Sequence, residues 1–177
     1  MDERLNNLLK KFLKFGLTLV ILIVAMSFYY YLPKTHKVDL IGTEVKRMDK
    51  NTEQSTQDIR FVVASDYETK ETKMFRNQDM PWPPYFKFNS GDLSGKVMNL
   101  ENNYADAVVL ITYYGWRIPF LSMYPNVTKL EIVEPNYEHV PWFNLFFLSF
   151  LFLSIIVIIV FFKYKKKEKK KTSDQTS

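Results

Sequence analysis

Few side chains in this chain could do chemistry. There is no cysteine, and the only histidines are His36 and His139. Each lies just outside one of two apolar runs, which puts both at one membrane depth. Paired imidazoles there, with Asp39 or Glu138 nearby, would make a thin metal site or a pH-sensitive contact. Two solvated interfacial histidines are the simpler reading. Ser94-Gly95-Lys96 suggests a Ser/Lys pair, but residues two apart on a helix point to different sides. The stretch Gly91 to Val97 imitates a phosphate loop and departs from it twice. Three residues rather than four separate the glycines, and Val97 stands where Ser or Thr must reach magnesium. No G-x-S-x-G elbow occurs. An envelope enzyme would have to gather carboxylates such as Asp66, Asp79, Asp92 and Asp106 around a cleft, and these are scattered along the chain. The sequence therefore offers no catalytic set, no metal motif and no cofactor motif.

A different chemistry is available to the aromatics. Trp82, Tyr85, Tyr114 and Trp116, with Arg117, could form a surface platform for a sugar or peptide, because Trp and Tyr give large rigid contact area. The commoner use of such rings is to fill a core, and a domain without disulfides must hold together by burial.

The elements that must position these residues follow from two uncharged apolar runs, Phe15 to Pro33 and Val140 to Phe162. Stretches of about 18 or more apolar residues are long enough to cross a bilayer core as helices. The second shows no polar face, so it has no side for water. Small residues at Ala25-Met26-Ser27 imitate a signal-cleavage site, but the apolar run continues through FYYYLP, which favours a retained span. Residues 1–14 carry a net charge of +2, residues 163–177 carry +5, and Lys34 to His139 carries −2. Lys and Arg beside span ends stay on the cytoplasmic side. Both termini are accordingly expected in the cytoplasm of an inner-membrane protein, with residues 34–139 outside. Tyr29, Tyr30, Tyr31 and Trp142 at the outer span ends suit the interface. The basic pI of 9.2 is then a topology signal rather than a mark of nucleic-acid binding. The lysine tail also suits anionic lipid headgroups.

Residues 34–139 suffice for one compact domain. Alternation predicts strands over Val38–Val45 with a bulge near Gly42, over Ile59–Ala64 and over Val127–Val133. Lys73–Asn77 and Tyr85–Phe88 are shorter candidates, and Ala107–Tyr113 reads as a fully buried strand. Leu93, Val97 and Leu100 recur at helical spacing behind Asp92, which predicts a short helix capped by that residue. Asn51 to Gln57 reads as a polar loop. The segment Met80 to Phe88 holds three prolines, so it is expected as an extended stretch laid across the sheet.

The ordered blocks YYLP (30–33), GTEVKRMD (42–49), WPPYFKF followed by Ser-Gly (82–91) and YGWRIPFLSMYPN (114–126) carry a resemblance. Together they resemble an uncharacterised family of bacterial membrane-anchored proteins, catalogued only as a domain of unknown function. The resemblance spans the first run and the domain; it implies an envelope protein and supplies no catalytic residues.

The expected architecture is α+β: two transmembrane helices (15–33 and 140–162) flanking a small β-rich extracytoplasmic domain with one short helix. The expected role is non-catalytic, with the domain making protein or envelope contacts in addition to the lipid bilayer around the spans. The alternatives are an accessory or sensor subunit of a membrane complex, an envelope-acting enzyme, and a phage-encoded modifier of the host envelope.

Overall fold

The computed structural model describes residues 2–49, 56–83 and 85–175. The chain divides into two compact units, Met1–Glu138 and His139–Ser177.

The first unit begins with helix α1, Asp2–Tyr31. The helix begins at Asp2 and runs unbroken through the lysine-bearing residues ahead of the apolar run. Leu, Lys and Asn give no reason to stop, and no proline intervenes before Pro33 closes the helix off. The stretch Asn7–Tyr31 is long and apolar enough to cross a membrane.

Five strands follow: β1 (Lys34–Asp49), β2 (Thr56–Asp66), β3 (Thr72–Asn77), β4 (Val108–Tyr114) and β5 (Asn126–Ile132). They close into a barrel in the order β1-β2-β3-β5-β4, with β4 returning to β1. Every pairing is antiparallel except β3 with β5, which is parallel and rests on the single pair Arg76 and Asn126. Most of the loop expected at Asn51 to Gln57 lies outside the described residues, while Thr56 and Gln57 begin β2.

The bulge expected at Gly42 is present: the β1–β2 register shifts between Leu40 and Gly42. Gly42 has φ +147°, and a Cβ there would lie 3.1 Å from Glu101 Oε2. The backbone conformation favours glycine, and the exposed Glu101 carboxylate would have to shift only slightly to admit a Cβ. Helix α2, Ser90–Asn103, joins β3 to β4. Its Leu93, Val97 and Leu100 share one core with Val38, Val62, Phe75, Val109, Ile111, Val127 and Leu130 of the strands. Helical spacing on α2 and alternate spacing on the strands thus meet in one apolar interior. The helix starts two residues before the expected cap. Asn89 holds the N-cap position, and Asp92 sits in the first turn, where a carboxylate favours the helix dipole. A closed five-stranded barrel of this order, with a helix between β3 and β4, is the arrangement of the OB fold.

Met80 to Phe88 is not a single extended stretch. Met80 and Lys87 exchange backbone hydrogen bonds of 2.8 and 2.9 Å, so the segment doubles back on itself. Phe86, at φ +42°, belongs to that turn. The prolines that forbid a central strand favour a turn just as strongly.

The second unit contains helix α3, Trp142–Gln175, of which Trp142–Lys165 is long and apolar enough to cross a membrane. The lysine tail expected from residue 163 begins as a continuation of this helix, because Lys and Glu are good helix formers and no breaker follows.

Candidate functional site

The C-terminal end of α1 is seated on the barrel by aromatic rings. The Tyr30 ring meets Trp116 edge-on at 5.2 Å and Tyr114 at 6.2 Å, while Tyr31 stacks on Tyr114 at 6.4 Å. Tyr85 lies flat on Tyr114, with centroids 4.1 Å apart. The hydroxyl of Tyr85 donates to the carbonyl of Tyr31, and the N–H of Gly115 donates to the carbonyl of Tyr30 at 2.9 Å. The last carbonyls of a helix have no partner within it. Here the barrel supplies two. Burial pushes the Tyr85 and Tyr114 phenols up, so both remain neutral, and the Tyr114 hydroxyl accepts from Asn126 Nδ2 at 2.9 Å.

The five residues of the expected aromatic platform are therefore divided. Tyr85, Tyr114 and Trp116 are engaged with α1, and Tyr114 is almost fully buried. Trp82 is exposed. Arg117 lies 4.0 Å over the Tyr124 ring and donates to the Met123 carbonyl at 3.0 Å.

Beside this joint runs a groove of about 1180 Å³ between α1 and the barrel. Leu22, Ala25 and Met26 form its α1 wall, and Met74, Tyr113 and Ile118 stand among the barrel residues opposite. Four charged side chains line it: Lys34, Glu71, Lys73 and Arg117. Lys73 is paired with Asp66. Lys34 Nζ lies 4.1 Å over the Tyr29 ring and donates to the Gly115 carbonyl at 3.3 Å, and burial lowers its pKa. Among the described residues neither Lys34 nor Arg117 has a carboxylate partner.

His36 belongs to a cluster that spacing alone did not reveal. Its Nε2 contacts the Asp66 carboxylate, and Lys73 Nζ contacts the same carboxylate and lies 2.6 Å from His36 Nε2. An imidazole nitrogen donates or accepts but not both, so Asp66 is the natural shared acceptor. Asp66 Oδ1 also accepts the N–H groups of Glu68 and Thr69, each at 2.9 Å. Hydrogen bonds from Lys73, then Thr69, hold this carboxyl well below the usual range, helped by His36 and Glu68 and opposed by burial. A local signal existed: Asp66 ends a strand before a polar turn, where a carboxylate commonly accepts N–H groups two and three residues on. His139 belongs to the second unit.

The other chemical candidates have local structural tasks. Gly91 to Val97 is helical within α2. Ser94 Oγ accepts from Asn77 Nδ2 at 2.9 Å, whereas Lys96 Nζ reaches the Leu130 carbonyl at 2.7 Å, so the two side chains diverge. Asp79 accepts the Ser90 N–H, Asp92 lies in the first turn of α2, and Asp106 lies in the turn before β4. Among the described residues no three of His, Cys, Asp and Glu gather as metal ligands.

An OB-type barrel that follows one long apolar helix and precedes another in the sequence, with an amphipathic groove where the first helix meets it, defines the class of this protein. The chain belongs to the DUF1523 family, described as a protein of unknown function, whose model matches residues 9–165. That match continues through the second apolar helix, beyond the blocks that carried the resemblance in the sequence. A relative from Haemophilus influenzae, named an uncharacterized protein, is 31% identical over 166 residues, covering 83% of this chain and 94% of the relative. No solved structure matches the chain.

Proposed function

We propose that this is a two-span inner-membrane protein with both termini in the cytoplasm, holding its barrel on the periplasmic side as a binding module rather than an enzyme. The lysine-flanked ends and the net negative middle segment support that orientation. One observation carries the binding role. The amphipathic groove is bounded on one side by the barrel and on the other by α1. Concave, mostly apolar clefts with a few polar groups are the usual form of a binding site.

A second reading, an accessory or sensor subunit, gains support from the joint beside the groove. An occupant there would touch both α1 and the barrel, so its binding could bias how the helix end is seated. A ligand moves such an equilibrium only by its differential affinity for the two arrangements.

Two measurements test the proposal. Protease added to spheroplasts should cut within residues 34–139 and spare an epitope fused to the lysine tail; cleavage of the tail with a protected middle would overturn the topology. A photoreactive phenylalanine placed at Ile118 should form a reproducible adduct in cells, and the same group at exposed Lys129 should not. Equal labelling at both positions, or none at Ile118, would overturn the binding role.

A further inference from the structure

The groove has the dimensions and polarity of a site for one membrane lipid. Leu22 lies nine residues before Tyr31 on α1, a helical rise of about 14 Å. That is close to half of a bilayer core of about 30 Å. With Tyr31 at the outer end of the span, the α1 wall formed by Leu22, Ala25 and Met26 lies within the depth of the outer leaflet. This wall is apolar, and the side chains of Leu22 and Met26 are exposed. Lys34, three residues past the end of α1, and Arg117 also line the groove, and they are its two cations without a carboxylate partner among the described residues. Glu71 also lines the groove, and the charge of Lys73 is already met by Asp66. A free peptide or sugar would gain little from a wall at acyl-chain depth. A soluble anion would gain nothing from it.

We propose that the groove binds an anionic glycerophospholipid of the outer leaflet, with its phosphate between Lys34 and Arg117 and its acyl chains along Leu22, Ala25 and Met26. Charge complementarity selects the headgroup, and the apolar wall selects a lipid over a free phosphate. Two cations near a membrane surface suffice for discrimination without irreversible capture. This proposal rests on the barrel being outside with α1 as a span, and the protease experiment above tests that premise separately.

The test uses the full chain in neutral detergent, with native mass spectrometry counting retained lipid. Phosphatidylglycerol should give a one-to-one adduct that phosphatidylcholine does not. Lys34→Gln with Arg117→Gln should reduce that adduct roughly tenfold. Met26→Trp fills the apolar wall while leaving both cations, and should reduce it similarly. A variant with Lys166, Lys167, Lys169, Lys170 and Lys171 changed to serine should retain the adduct, which separates the groove from the tail. Barrel melting followed by circular dichroism should show that each variant is folded; were the double variant unfolded, Met26→Trp would decide. Equal retention of the two lipids, an adduct unchanged in both groove variants, or loss only in the tail variant would overturn the proposal. So would displacement of the lipid by millimolar glycerol phosphate, because the site would then be reading a headgroup alone.

Discussion

The N–H of Gly115 donates to the carbonyl of Tyr30 at 2.9 Å, and the Tyr30 ring lies 3.5 Å from where a Cβ on Gly115 would stand. The first helix is thus bound to the barrel at a residue that can hardly be anything but glycine. Gly115 has φ +95°, which strains any other side chain. Gly115→Ala should therefore destabilise the first unit by about 1–2 kcal/mol. For a domain of this size that is a fall in melting temperature of roughly 4–8 °C per kcal/mol, measurable by thermal unfolding in detergent. An unchanged melting point would show that the joint does not constrain the barrel.

Asn126 closes the barrel where the backbone ladder is thinnest. Its side-chain amide accepts from the Gln78 N–H at 3.1 Å and donates to the Gln78 carbonyl at 3.0 Å and the Tyr114 hydroxyl at 2.9 Å. A single side chain thus extends the β3–β5 pairing by imitating a peptide group. Asn126→Leu should cost about 3 kcal/mol, since buried polar partners would be left unsatisfied. Denaturant titration should show a lower midpoint. The buried Asn126 is also a poor glycosylation acceptor, although Asn126-Val127-Thr128 fits the sequon.

Trp116 allows packing to be separated from polarity. Its ring packs against Tyr29 and Tyr30, but its Nε1 is buried without a hydrogen-bond partner among the described residues. Trp116→Phe should be neutral or stabilising by up to about 1 kcal/mol, because a desolvated donor is removed. Trp116→Ala should lose about 3 kcal/mol through the cavity it leaves. Comparing the two melting temperatures checks this, and equal losses would count against it.

Two buried charges make stability rise with pH, each in its own window. The depressed pKa of Asp66 means that its stabilisation is present above the ordinary carboxylate range and is lost as pH falls through about 4 toward the folded-state value. Asp66→Asn should melt below wild type at pH 7, and the gap should narrow in acid. A gap that widened in acid would contradict the assignment.

Lys87 acts with the same sign in an alkaline window. Burial, opposed by Asp79, pushes its pKa down to about 8. An unfolded lysine titrates near 10.4, so the unfolded chain binds more protons in between, and stability rises with pH across that window. Relative to Lys87→Met, wild type should gain stability from about pH 8 to 10. A flat difference across that range would refute a depressed Lys87.

Much of the barrel was legible because its signals are local. Gly42 at a β1 bulge, the buried run of β4 and the Leu93, Val97 and Leu100 stripe each follow from short-range periodicity. The Met80 to Phe88 segment was misread because proline excludes a central strand without choosing between an extended stretch and a turn. The aromatic platform was legible as composition and not as placement. Nothing near Tyr85 or Trp116 in sequence announces that their partners are Tyr30 and Tyr31, more than fifty residues earlier.

By itself the sequence determined that two of its segments are long and apolar enough to cross a membrane. Two long uncharged runs, their flanking lysines and the absence of cysteine are sums over neighbouring residues, and hydropathy and charge act through such sums. Tertiary structure decided which groups meet. Strand register brought His36, Asp66 and Lys73 together, and barrel closure set Tyr114 against the end of α1 and left Lys34 and Arg117 beside an apolar groove. Those meetings depend on long-range pairing, in which a one-residue slip would turn every side chain to the other face.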